Sequence, residues 1–276
     1  MVTLNALASA GLYRLPDGEW MLHSRFSQAI NFIHANGELL TLYRYGKGMG
    51  PNGLLLSHSS FSRMTLVSCL HKSGNQLSGQ GLVLRSHREL KLRVMTAAIT
   101  PVDLSSYYFQ QSGLGGALNE PLNTMPCYAE IIAGLNRWGS GFTPDWRWLI
   151  GLGPGLTPSG DDMLTGMLAV FVATGMPVHL FLPPADQLAL LTTSVSCSYL
   201  NSARLGEFST PVLRVMRDLQ TGQDADRALR RLLAVGHTSG ADIVSGIALA
   251  QHWLQTVDLR GLHVRSGNDT HIYSGG

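Results

Sequence analysis

This sequence predicts an α+β fold, with a β-rich N-terminal region over residues 1–120, a mainly helical region over 121–261 and a loose tail over 262–276. Two observations carry the expectation. Hydrophobic patterning changes from period two to helical spacing near Tyr128. A glycine-rich turn that feeds an apolar run occurs twice, eighty positions apart, and both copies lie in the second part.

In the first part, Asn36-Gly37 precedes the run Glu38–Tyr45, a hairpin signal followed by a strand. The segment Gly46-Lys-Gly-Met-Gly-Pro-Asn-Gly53 reads as a long turn before Leu54–Ser57. Lys47 invites a phosphate-loop reading, but the pattern G-x-x-x-x-G-K-[ST] is absent, so a plain hairpin loop is expected there. The runs Gly81–Ser86 and Leu90–Thr96 flank a polar turn, and the second alternates apolar with basic residues. They are expected to form a half-exposed antiparallel pair.

Helices are expected over 128–137, 160–174, 186–204, 211–220, 224–235 and 241–257. Gly175, Gly206, Gly222 and Gly236 stand where helix stops belong, and Ser209-Thr-Pro211 and Asp224 supply starts. The 186–204 helix carries Thr192, Thr193, Ser194, Ser196, Ser198 and Ser202, which either permit close helix packing or line a polar cavity. Arg204 and Glu207, on either side of Gly206, read as a surface ion pair.

The chain has 276 residues, enough for one large domain or two modest ones. A hydrophobic content of 45% with only 14% charged residues indicates a well-buried protein that hides part of its surface against other subunits. The net charge of +2 conceals an asymmetry of +6 over residues 1–100 and −4 over the remainder. The basic part suits an anionic ligand. Its cations are scattered singly without a binding motif, so no nucleic-acid partner is expected. Arg outnumbers Lys 17 to 3, a bias that suits carboxylate or phosphate recognition and also follows from a GC-rich genome.

Cys69, Cys127 and Cys197 are too far apart for a zinc knuckle and odd in number for a disulfide framework. The start of the chain lacks the features of a secretory signal, and no stretch suits a membrane span, so a cytoplasmic protein is expected.

The repeated motif is the most informative feature. Gly151-Leu-Gly-Pro-Gly-Leu-Thr-Pro-Ser-Gly-Asp-Asp162 continues to Gly166, and Gly236-His-Thr-Ser-Gly-Ala-Asp242 continues to Gly246. Ser159, Gly160, Asp162 and Gly166 align with Ser239, Gly240, Asp242 and Gly246. A turn that opens a helix leaves backbone N–H groups pointing outward, where the helix dipole favours negative charge. Two such termini facing one another would hold a small anion.

Each copy alone also reads as a capping box, Ser-x-x-Asp, with Thr157-Pro158 as N-cap and first helical residue. Capping requires neither the density of glycine and proline around Gly155, nor a second carboxylate at Asp161, nor His237. The pair therefore favours a functional site.

These residues, with Asp145-Trp-Arg-Trp148 and the run Thr192–Leu200, resemble a bacterial family long catalogued as a domain of unknown function. One member is a subunit of the oxamate carbamoyltransferase of anaerobic allantoin degradation. The resemblance covers most of the chain, from the Asn36 hairpin to about Trp253. It implies a component of a hetero-oligomeric enzyme that transfers a carbamoyl group between oxalurate and phosphate, with other subunits as partners.

The candidate site suits that chemistry, which needs an anion and an amide held in line. Gly155, Thr157, Ser159, Gly160, Ser239 and Gly240 are the candidate substrate-binding positions for phosphate, oxalurate or oxamate. Asp162 and Asp242 would orient amide or urea nitrogens, with Asp161 beside them. His237 would polarise the carbonyl or carry a proton. The Ser-Thr-x-Thr-Arg motif of ordinary transcarbamoylases is missing. Two other readings stand beside this one. In the first, a stand-alone hydrolase or ligase would use Mg²⁺ held by Asp161, Asp162 and Asp242. In the second, a non-catalytic scaffold subunit would use both motifs only to cap and pack helices. No metal site and no other cofactor is assigned.

Overall fold

The computed structural model describes residues 2–257, so the expected tail over 262–276 lies outside the described residues. Nine strands form one sheet. They are β1 (Val2–Asn5), β2 (Ala8–Ala10), β3 (Gly18–Arg25), β4 (Ala29–His34), β5 (Leu39–Arg44), β6 (Gly53–Leu56), β7 (Cys69–Ser73), β8 (Gln76–Gly79) and β9 (Leu82–Arg85). Their order is β1-β9-β8-β7-β3-β4-β5-β6-β2, antiparallel except for the parallel pairs β1–β9 and β5–β6.

The expected Asn36-Gly37 hairpin joins β4 to β5, with the Gly37 N–H donating to the His34 carbonyl. Between β6 and β7 lies α1 (His58–Met64), a helix that the patterning did not predict; its N-cap Ser57 accepts from the Ser60 N–H.

Period-two alternation gives the sheet two unlike faces. Ile30 and Phe32 of β4, with Leu40 and Leu42 of β5, enter a core closed by Phe61 and Met64 of α1. The intervening Asn31, Thr41 and Tyr43 point the other way. That face belongs to the site.

The expected strand at Leu90–Thr96 is not one, and its pairing with Gly81–Ser86 does not form. Leu82–Arg85 pairs instead with β8 and β1. The Leu90–Thr96 segment runs as an extended strap. The Leu90 N–H reaches the Ser9 carbonyl, the Phe208 N–H reaches the Leu92 carbonyl, and the Val94 N–H reaches the Gly206 carbonyl. Leu92 and Val94 are buried. Alternation reports a half-buried extended segment, whatever it pairs with, and here the partners lie far off in the chain, at Ser9 on one side and at Gly206 and Phe208 on the other.

The second part holds α2 (Tyr128–Gly139), α3 (Ser159–Ala173), α4 (Ala185–Leu188), α5 (Ser194–Arg204), α6 (Thr210–Thr221), α7 (Asp226–Leu233) and α8 (Ser239–Thr256). The expected single helix over 186–204 is two, because hydroxyls at its middle are used elsewhere. The Thr192 hydroxyl donates to Asp161, and the Thr193 Oγ1 donates to the Leu156 carbonyl while accepting from the Ser196 N–H as the N-cap of α5. Gly175, Gly206, Gly222 and Gly236 all take positive φ at the expected stops.

Helices α3 and α8 are apolar nearly all round and form the centre of the helical part. Phe171 of α3 and Trp253 of α8 pack with the rings of Trp138 and Phe181. Among the described residues, no helix is long and apolar enough to cross a membrane.

Candidate functional site

The two motif copies meet. Gly166 lies against the Ile243 carbonyl and Gly246 against the Met163 carbonyl. A methyl group at either would fall 2.0 Å from that oxygen. Because 163 aligns with 243 and 166 with 246, the contacts are reciprocal, as a local two-fold requires. The turn before α3 also touches the start of α8, with Thr157 Oγ1 3.0 Å from Ser239 Oγ. Contacts at matching positions along both helices place their N-termini side by side.

Neither serine caps its helix. Pro158 and Thr238 occupy the N-cap positions, with no side-chain cap at either, so the capping-box reading does not hold in its literal form. Ser159 and Ser239 stand instead at the first helical position of each copy.

The symmetry is broken by what each copy faces. Asp162 lines a cavity of about 500 Å³ between the helical part and the polar face of β4 and β5, together with Thr157, Thr165 and Ser239. Asp242, fully buried, faces away from that cavity. Its Oδ1 accepts from the Ser112 hydroxyl and the Gly113 N–H, both at 2.7 Å. Asp161 is tied to the Gly151 N–H at 2.9 Å and to Thr192.

The other expected positions do not line the cavity. Gly160 and Gly240 let the Leu149 and Leu232 carbonyls approach their helices, and Ser159 is buried beside Gly113 and Gly153. Gly155 and His237 are exposed and do not line the cavity, although His237 adjoins the lining residue Gly236. Asp161, Asp162 and Asp242 do not converge on one ion. Among the described residues, no group of three or more His, Cys, Asp or Glu side chains could hold a metal.

The sheet and its loops supply the rest of the cavity. The Gly46–Gly53 segment, expected to be a plain hairpin loop, clamps onto the start of α6. The Met49 N–H donates to Thr210 Oγ1 at 3.0 Å, and the Thr210 N–H donates to the Met49 carbonyl at 2.9 Å. A side chain at position 48 would fall 2.5 Å from Thr210 Oγ1, and one at position 50 would strike Tyr43 and Tyr199, so the alternate glycines follow from this docking. Lys47 lines the mouth of the cavity and has no salt bridge among the described residues. Thr41 donates to Asn31 at 2.8 Å, and the Tyr43 and Tyr199 hydroxyls lie 3.0 Å apart.

Lys47 was visible in the sequence but carried no motif. Tyr43 and Tyr199 lie in runs singled out in the sequence, but nothing there pairs them, since only the fold brings β5 and α5 together.

Glu207 also lines the cavity. Its charge is taken up by Arg14 through paired hydrogen bonds, not by Arg204, whose guanidinium donates to the Pro183 carbonyl at 2.7 Å. The expected Arg204–Glu207 surface pair is thus replaced by a link between sheet and helices.

Burial pushes the Asp162 carboxyl well above the usual carboxylate range. The nearby Asp242 and Asp161 add to the shift, and the Ser239 and Thr157 hydroxyls oppose it. Burial likewise raises Tyr43 and Tyr199, so both remain neutral phenols. Burial disfavours the charged form of Asp162 and Arg14 offsets Glu207, so among the described residues that line the cavity Lys47 is the cation without a salt bridge. That balance favours an anion.

The fold and site define an α+β protein whose duplicated helix-start motif opens on one side into a largely apolar cavity with a few polar groups, Thr157, Asp162, Ser239 and Lys47 among them. The chain belongs to the family of oxamate carbamoyltransferase subunit AllH. The model of that subunit matches residues 149–251, and the model of the AllH family N-terminal domain matches residues 3–97. The first match holds both motif copies, and the second holds the sheet and the Lys47 loop. No solved structure matches the chain.

Proposed function

We propose that this chain is the subunit that holds the small carbamoyl substrate of an oxamate carbamoyltransferase in the cavity between sheet and helices. In allantoin catabolism, a phosphate oxygen would attack the terminal carbonyl carbon of oxalurate. The bond from that carbon to the oxamate nitrogen breaks, a proton passes from phosphate to that nitrogen, and carbamoyl phosphate and oxamate leave.

The observation that carries this reading is the meeting of Thr157, Asp162 and Ser239 with Lys47 around one cavity. Its volume of about 500 Å³ lies in the range of small-molecule sites. The lysine suits the anionic end and the hydroxyls and carboxyl suit the amide end. We assign the proton-carrying role to His237, which is exposed and adjoins the lining residue Gly236 in the chain.

Other subunits are the expected partners. Only 14% of residues are charged, and Tyr108 and Phe109 stand 63% and 95% exposed. We place the assembly in the cytoplasm as a hetero-oligomer.

Co-purification with the partner subunits, followed by oxalurate phosphorolysis, tests the proposal. Lys47→Met should raise KM for the anionic substrates about tenfold or more, as expected for loss of a charge-assisted contact. Full activity of the partner subunits without this chain would overturn the reading.

A further inference from the structure

The local symmetry creates two equivalent half-sites, one filled by the chain itself and one left open to the cavity. In the filled half-site, Asp242 Oδ1 binds the backbone N–H of Gly113 and the hydroxyl of Ser112. The fit is tight enough that a methyl on Gly113 would fall 2.1 Å from Ser159 Oγ. The Ser112–Gly113 peptide is therefore an amide held against an aspartate and a serine at paired helix starts.

In the open half-site, Asp162 takes the place of Asp242 and Ser239 takes the place of Ser159. Asp162 is only 7% exposed and lines the cavity, and its Oδ2 is buried without a hydrogen-bond partner among the described residues. Asp242 Oδ2 is likewise unpartnered, but that side is closed by the loop. A buried oxygen left unpaired beside an accessible cavity calls for a donor from the ligand.

We propose that Asp162 reads the amide of the bound ligand: it accepts an N–H from a primary amide or carbamoyl group, as Asp242 accepts the N–H of Gly113, while the anionic end of the ligand lies toward Lys47. This assignment rests on the cavity reading above. It makes the site selective for an amide-bearing carboxylate over a dicarboxylate of the same size, which has no N–H to offer the unpaired Asp162 oxygen. It also orients the ligand.

Calorimetric titration of the full chain, alone and with its co-purified subunits, tests this with oxamate, with oxalate and with N,N-dimethyloxamate, which keeps the charge of oxamate but lacks its N–H. Oxamate should bind the wild type about tenfold or more tightly than either analogue, the scale of one hydrogen bond to a buried carboxyl. Asp162→Ala, verified as folded by thermal melting, should bring the three affinities together. If that variant does not fold, the wild-type ratios decide alone. If oxamate and both analogues bind the wild type equally while Lys47→Met weakens all three, the cavity reading stands and the Asp162 assignment falls. If none of the three binds the wild type in either form, the cavity reading itself falls.

Discussion

Gly166 and Gly246 exchange roles under the local two-fold, each seating the other helix's backbone, at Ile243 and Met163 respectively. No other residue type fits either position without separating α3 from α8. The duplicated sequence motif is thus a duplicated packing contact, and that contact sets the distance between the two carboxylates.

Gly166→Ala and Gly246→Ala should destabilise the protein to similar extents. Alanine gains about 0.5–1 kcal/mol in a helix interior, but overpacking against backbone costs about 1–3 kcal/mol. Urea unfolding of both variants measures the balance. A stabilised Gly246→Ala would show that the helices are not held this closely.

Asp162 should lower stability at neutral pH. Its folded carboxyl titrates above the unfolded value of 3.8, so its contribution is fully present below that value and is lost as pH rises through the folded pKa. Asp162→Asn, which removes the charge, should melt at a higher temperature than the wild type at pH 8. The gap should close as pH falls toward 4, near the ordinary carboxylate range. A pH-independent difference would contradict the assigned cause, which is chiefly burial.

Thr193 caps α5 and also holds the Leu156 carbonyl at the cavity wall. Thr193→Ala should cost about 0.5–2 kcal/mol, while Thr193→Ser should restore most of it. Paired chemical denaturation curves compare the two. Equal losses in both variants would assign the effect to the methyl group and not to the hydroxyl.

His237→Ala should leave the melting temperature within about a degree, since exposed substitutions away from special features shift stability by about 0.5 kcal/mol or less. Turnover of the assembled enzyme should nonetheless fall, by about 10²-fold or more, if His237 transfers the proton. Unchanged kcat would remove His237 from the mechanism.

What was legible in the sequence was local or repeated. Asn36-Gly37 specifies its turn through backbone freedom, and Gly175, Gly206, Gly222 and Gly236 mark helix ends for the same reason. The recurrence of Ser-Gly-x-Asp-x-x-x-Gly pointed to a paired structure because one chemical requirement, close approach of two backbones, was written twice.

Where the extended segment Leu90–Thr96 would dock was not legible, since alternation carries no record of its partner. Nor was the break before Ser194, where Thr192 and Thr193 spend their hydroxyls on Asp161 and Leu156 instead of a continuous helix. The sequence by itself determined the two-part α+β character and the equivalence of Asp162 and Asp242. Only the tertiary structure decided that Asp162 opens onto a cavity shared with Lys47 and Tyr43, while Asp242 is sealed by Gly113. Those contacts join residues a hundred or more positions apart, and such pairings follow from packing in space, which local propensity and periodicity do not encode.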